Sequence, residues 1–249
     1  MDFQIDKIYN EDCLEGMKRI ADGAVDCIIT DLPYGTTACA WDSVIPFEPL
    51  WEQFKRVTKP NAAIVLFGSE PFSTVQRMSN FSHYKYDWVW NKALAGNGIL
   101  AKHQPLKIHE TISVFCYGKC PYNPQKVKGK HRIKMSNLKE SELTYGNSTA
   151  KSYSNSEYYP VSILDYSVAS LRGEDRLHPT QKPVDLLRYL ILTYSNEGDT
   201  ILDATIGSGT TAVAALMEKR HFIGFETNKE YFDIAQGRID EVLRNPTLF

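Results

Sequence analysis

No uncharged apolar stretch of the 249-residue chain approaches the ~18 residues that cross a membrane. The first residues, MDFQIDKIYNEDC, are acidic and have no apolar core of the kind a secretory leader needs. A cytosolic location is therefore expected. Cysteine is scarce and odd in number (Cys13, Cys27, Cys39, Cys116 and Cys120), as in a protein kept reduced and not stapled by disulfides. Cys116 and Cys120 lie four apart with no second close pair, so no zinc site and no metal is expected. Internal repeats and low-complexity tracts are also missing, which excludes solenoids and collagen-like chains.

What is present is the make-up of a folded protein: 43% hydrophobic and 23% charged residues. A mass of 28.3 kDa suits one large α/β domain, or one domain with an elaborate insertion. The net charge of −2 hides an asymmetry. Residues 92–139 hold ten Lys/Arg and one acid, Glu110, a net +9. The remainder holds 18 basic and 29 acidic residues, a net −11. A basic block on an acidic body suits a polyanion partner, and it equally suits a solvated lysine-rich loop.

Apolar periodicity predicts strands at Ile5–Tyr9, Val25–Thr30, Ala62–Phe67, Tyr86–Trp90, Thr111–Tyr117, Asp199–Asp203 and His221–Phe225. Helices are predicted from Cys13 to about Ile20 (N-cap Asn10 or Asp12), and over Phe47–Val57, Pro71–Met78, Pro183–Tyr194, Thr210–Arg220 and Asn228–Leu243. Between about 118 and 175 the pattern fails, and that stretch is expected to be a functional loop or an insertion. The halves around it, 1–117 and 176–249, form one α/β domain with a mainly parallel sheet covered on both faces. Ligands of such sheets bind at the carboxyl ends of strands. Two predicted strand ends carry acids, Asp31 and Asp203.

After Asp203 comes a Gly207-Ser208-Gly209 turn and a helix opening at Thr210; the next strand ends in Glu226. The glycines let a ligand approach the backbone, the helix start offers unpaired N–H groups, and an acid at the second strand tip suits ribose hydroxyls. A nucleoside-bearing cofactor is the reading. The dinucleotide fingerprint is incomplete, with Ala212 at its third glycine position, and an ordinary strand-to-helix turn would look similar. At the other tip, Asp31-Leu32-Pro33-Tyr34-Gly35 places a carboxylate, a rigid turn and an aromatic together. Asp31 and a main-chain carbonyl are suited to accept the two N–H bonds of a nucleobase amine while Tyr34 stacks on its ring. An incidental strand-end turn is the plainer alternative.

Together these segments resemble the β class of DNA amino-methyltransferases. Asp31–Gly35 resembles their Asp-Pro-Pro-Tyr motif and Asp203–Thr211 their cofactor motif. His178-Pro-Thr-Gln-Lys-Pro183, Asn10-Glu-Asp12-Cys13, Trp88-Val-Trp90-Asn91-Lys92, His109-Glu110 and Tyr122-Asn-Pro-Gln125 match as well. The resemblance spans about residues 5–240, with the catalytic motif first and the cofactor motif last. It implies a Rossmann-like fold, S-adenosylmethionine as cofactor and double-stranded DNA as partner, with 118–175 as the target-recognition insertion. Asp31, Leu32, Pro33 and Tyr34 would be catalytic. Asp12 and Cys13 would meet the cofactor adenine, Glu226 its ribose, and Lys182 its carboxylate. Asp203 and the turn would line its methionine end, with Asp31, Thr180, Thr205, Gly207, Ser208, Gly209, Thr210 and Thr211 around it. Lys126, Lys128, Lys130, Arg132 and Lys134 would touch DNA phosphates.

One departure is Leu32, where the family carries Pro; the family uses the main-chain carbonyl there, which Leu also supplies. An Asp-led motif goes with N6 of adenine, and a Ser-led motif more usually with N4 of cytosine. Glutamine methylation of proteins fits less well, because those enzymes usually lead with Asn and place the cofactor motif first. A non-enzymatic DNA-binding module would not need Asp31, Tyr34, Asp203 and Glu226 intact. Whether the protein forms a homodimer, or accompanies a cognate restriction endonuclease, is left open by the resemblance.

Overall fold

Residues 4–35, 43–96, 98–135, 152–168 and 181–245 are described in the computed structural model of the protein. In chain order the strands are β1 (Lys7–Tyr9), β2 (Val25–Thr30), β3 (Thr58–Gly68), β4 (Tyr84–Gly96), β5 (Lys107–Phe115), β6 (Val127–Met135), β7 (Ser152–Tyr158), β8 (Ile163–Asp165), β9 (Thr200–Asp203) and β10 (His221–Phe225). The α-helices are α1 (Cys13–Met17), α2 (Phe47–Val57), α3 (Phe72–Ser79), α4 (Val184–Tyr194), α5 (Thr210–Met217) and α6 (Lys229–Arg244).

Eight strands form one sheet in the order β1-β10-β9-β2-β3-β5-β4-β8. All its pairings are parallel except β3–β5 and β5–β4, so β4 again runs with β2 and β3. The β-branched run Val-Asp-Cys-Ile-Ile-Thr is the central strand β2, buried along both faces. Strand alternation divides the core in two. Cys27, Ile29, Ala63, Val65 and Phe67 face a cluster completed by Leu186, Leu190, Ala214 and Ile239 of α4, α5 and α6. Ile28, Ile64 and Leu66 face Met17, Leu50 and Phe54 of α1 and α2.

Strand order reverses between β2 and β9, so their carboxyl ends flank a crevice at the topological switch point. Asp31 follows β2 and Asp203 ends β9, which brings the two acids of the sequence together.

Of the twelve ends of these helices, five agree with expectation, five differ by one residue, and the C-terminal ends of α1 and α5 fall three residues short. Pro71 and Pro183 are N-caps, not first-turn residues, and Asp12 is the cap of α1. The expected first helix stops at Met17 and gives way to turns. Strands also stand within 118–175, in its described residues 118–135 and 152–168. A second compact unit covers only Pro124–Val161. It is a two-stranded antiparallel ribbon of β6 and β7, in which Lys128 pairs with Glu157 and Arg132 with Asn155. β8 belongs to the main unit and pairs with β4.

Candidate active site

A cavity of about 410 Å³ opens at the carboxyl ends of β2, β9 and β10. That is within the range of small-molecule sites. Its walls include Asp12, Cys13, Asp31–Tyr34, Lys182, Asp203, Thr205, Gly207, Ser208, Thr210, Thr211 and Glu226, drawn from segments up to about 200 residues apart. Of the expected cofactor residues, Thr180 lies outside the described residues, as do Cys39 and most of His178–Gln181. Gly209 is the exception among the rest and does not line the cavity. Its φ is +81°, and a Cβ there would lie 2.9 Å from Ala235 Cβ and 3.0 Å from Ala235 Cα. This glycine serves the close approach of α6 to the turn.

The Asp203 and Glu226 side is held by neutral donors. Asp203 is 4% exposed and accepts the Thr205 N–H at 3.1 Å. Burial pushes its carboxyl up to about 6, against hydrogen bonds from Thr211 and Thr30. Glu226 accepts the Gly207 N–H at 3.0 Å and the Asn228 N–H at 2.7 Å, and burial raises it as well. These bonds fix the carboxylate over the glycine turn, whose Gly207 has φ +54°. Asn10 Nδ2 donates to the Glu226 and Thr227 carbonyls at 2.8 and 3.1 Å, joining the first segment to the second strand tip. Asp12 caps α1, accepting from Leu14 N–H at 2.8 Å and Glu15 N–H at 3.3 Å, while Cys13 is buried at the cavity wall. Two fixed acids, a helix start and hydroxyls around one cavity fit a nucleoside with a cationic tail.

The Asp31 side is held by an ion pair. Lys182 Nζ pairs with Asp31 Oδ2 and lies 3.8 Å from Glu110 Oε2. Glu110 Oε1 accepts from Lys92 at 2.8 Å. The Lys182 ammonium also sits 5.1 Å from the Phe67 ring centroid and 5.8 Å from that of Trp90. Burial raises the Asp31 carboxyl, with Lys182 opposing and Glu110 reinforcing the rise. Burial also raises Glu110, but Lys182 and Lys92 reverse this and leave it below the usual carboxylate range. Lys182 is raised because its two acids outweigh its burial. The Tyr34 hydroxyl donates to Asp31 Oδ1 at 2.5 Å, and its ring stacks on Phe72 at 4.9 Å. Thr205 Oγ1 donates to the Asp31 carbonyl at 2.9 Å and lies 2.9 Å from Thr30 Oγ1, tying the two strand tips. Leu32 turns its side chain into the core at 2% exposure.

Two functional contributors carried no assigned role in the sequence reading. Glu110 is legible in the sequence only as part of the His109-Glu110 motif. Arg238 had no signal except its place three residues after buried Ala235 on α6. It donates to the Ser208 carbonyl at 2.6 Å and Thr210 Oγ1 at 3.1 Å, bracing the turn, and burial lowers its pKa. On the ribbon, Lys126, Lys128, Lys130 and Arg132 are exposed; the Lys134 side chain is outside the described residues. No helix among the described residues is long and apolar enough to cross a membrane, and those residues hold no candidate metal cluster.

A mostly parallel sheet with an acid-lined cavity at its switch point defines a Rossmann-like nucleoside-cofactor fold, and solved structures agree. The chain is similar to the M1.HpyAVI–SAM complex at 25% identity, with TM-score 0.63 and coverage of 94% of this chain and 98% of that one. It shares its fold with PvuII DNA methyltransferase (cytosine-N4-specific), at 16% identity, TM-score 0.66, and 97% and 92% coverage. The profile of the DNA methylase family, which spans N6 and N4 enzymes, matches residues 25–237, and the chain belongs to that family. Among its relatives is the type II methyltransferase M.HpaI of Haemophilus parainfluenzae, 28% identical over 94% of this chain and 74% of the relative. Another is M.HinfI of Haemophilus influenzae, 27% identical over 97% and 70%.

Proposed function

We propose that the protein transfers a methyl group from S-adenosylmethionine to the exocyclic N6 of an adenine flipped out of duplex DNA at a specific site. The observation that carries this reading is the junction of Asp31-Leu32-Pro33-Tyr34 with the Asp203–Glu226 cavity at one switch point.

Bound S-adenosylmethionine supplies an electrophilic methyl on a sulfonium sulfur. Asp203 meets its cationic end, Glu226 the ribose hydroxyls, and the Asp12-Cys13 segment its adenine. Lys182 is positioned for the carboxylate once it shares or leaves Asp31. An exocyclic amine is a poor nucleophile because its lone pair is delocalised into the ring. Asp31 Oδ and the Leu32 carbonyl accept its two hydrogens and draw the nitrogen toward tetrahedral geometry, aiming the lone pair at the methyl. The gain is alignment and preorganised charge, with no covalent enzyme intermediate. In the transfer the methyl–sulfur bond would break, its electron pair returning to sulfur as a neutral thioether, while the new N–C bond forms; the proton the nitrogen sheds would pass to Asp31, whose basicity is lifted by burial. Tyr34, backed by Phe72, offers its ring to the flipped base. The ribbon residues Lys126, Lys128, Lys130, Arg132 and Lys134 hold phosphates in the target-recognition region.

The test is to methylate mixed DNA with labelled cofactor, hydrolyse it and identify the modified base by mass spectrometry. N6-methyladenine is expected. Methylcytosine without methyladenine would overturn the adenine assignment, and mapping the modified positions gives the site.

A further inference from the structure

Beyond Trp90 and Glu110, which pair across β4 and β5, the two strands leave the core as an arm. Every described residue from Ala93 to Leu106 is exposed except half-buried Leu94. The tip is a built turn. Ala101 N–H donates to the Gly98 carbonyl at 3.2 Å, and His103 and Gln104 N–H donate to the Leu100 carbonyl at 2.8 and 3.0 Å. Its root is fixed as well. Ala93 adopts φ +56°, unusual for a residue with a Cβ, and its N–H is bonded to Asn91 Oδ1 at 3.1 Å. Asn91 Nδ2 in turn donates to Asp165 at 2.7 Å, and Lys107 donates to Ser69 Oγ.

The arm presents apolar side chains to solvent. Ile99 is 96% exposed, and Leu100, Leu106 and Ile108 are also exposed. Lys102 and His103 stand among them, and no acid occurs between Lys92 and Glu110. β4 runs parallel to β2 and β3, so the arm rises from the edge of the sheet that carries Asp31. Three strand steps separate Glu110 from Lys107, roughly 10 Å, and the tip turn lies beyond the Gly96–Lys107 pair, farther out from the core. Glu110 itself neighbours Lys182, the partner of Asp31.

We infer that this arm is a duplex-opening element: Ile99 enters the base stack beside the target, and Lys102 meets a phosphate. The inference rests on the DNA-methylation reading and adds to it a second contact surface. Flipping a base leaves its neighbours unstacked, and an apolar wedge offsets that cost. An apolar tip flanked by positive charge at the catalytic edge suits a polyanion with a stacked interior.

The experiment compares wild type with Ile99→Asp, a fully exposed position, on two duplexes carrying the mapped site. In one the target adenine is paired, and in the other it is mispaired, so that extrusion costs less. Ile99→Asp is expected to lose about ten-fold or more in kcat/KM on the paired duplex and to come within about two-fold of wild type on the mispaired one. An equal loss on both duplexes, or no loss on either, would overturn the wedge. So would a change of oligomeric state by light scattering, which would assign the tip to a second copy of the chain. Wild type that methylates neither duplex would overturn the methylation reading, and the wedge with it.

Discussion

Two acids stand at adjacent strand tips, and the protein holds them by different means. Asp203 is fixed by a backbone N–H and threonine hydroxyls, all neutral, and burial drives its carboxyl up to about 6. Asp31 is fixed by an ammonium, Lys182, and by the Tyr34 hydroxyl. Neutral donors orient a carboxylate and leave its charge for a cationic ligand. A lysine opposes, without cancelling, the rise that burial imposes on the carboxyl. The Asp203 side is thus a carboxylate oriented by neutral donors, while the Asp31 side is an acid held beside a counter-charge.

The sharpest way to break this comparison is to remove the acids in turn. Asp31→Ala deletes the side-chain acceptor of the target amine, and methyl transfer should fall at least ~10²-fold in single-turnover assays, as when one preorganised partner is deleted elsewhere. Glu226→Ala removes a buried, charge-assisted acceptor worth ~1.5–3 kcal/mol, so cofactor affinity by calorimetry should weaken roughly ten-fold or more. Asp203 sharpens the contrast through pH. Its carboxyl titrates near 6, so the charge that meets the cofactor is present above that pH and lost below it. Cofactor Kd should be flat above pH 6 and rise about ten-fold per unit below it, and Asp203→Asn should abolish this limb.

Smaller effects are expected where only the carbonyl matters. Leu32→Pro keeps the main-chain acceptor and should retain methyl transfer within roughly ten-fold. Because the Leu32 side chain is buried in the core, the same change should cost about 1–3 kcal/mol of stability in denaturant titrations. Smallest of all, Lys128→Ala on the exposed ribbon should leave the chemistry alone and reduce the log–log salt slope of DNA binding by about 0.9. An unchanged slope would make that lysine a solvated surface residue.

The strand tips were legible because an acid ends a buried apolar run at each, which marks the carboxyl edge of a parallel strand. The Gly207-Ser208-Gly209 turn and Glu226 were legible by spacing for the same reason. The ribbon was not, because its described side chains are mostly exposed and none is buried; without a buried face, alternation of apolar residues has nothing to report. Nor was the tie between Lys182 and Asp31, 151 residues apart in sequence and joined only by the sheet order. Glu110 stood in a recognisable motif, yet its role depends on the β4–β5 register that sets it beside Lys182 and Lys92. Arg238 was hidden as one more charge on an amphipathic helix.

The division of labour between the two tips is tested most directly by measuring two quantities on two variants. Cofactor Kd by calorimetry and the single-turnover rate at saturating cofactor and DNA are taken for Asp31→Asn and Glu226→Gln, with folding checked by circular dichroism. The account predicts a crossed pattern: Asp31→Asn loses rate by ~10²-fold or more with Kd within a few-fold of wild type, and Glu226→Gln loses affinity with the saturated rate nearly kept. Equal losses of rate and affinity in both variants would contradict it, because the two acids would then act as one site.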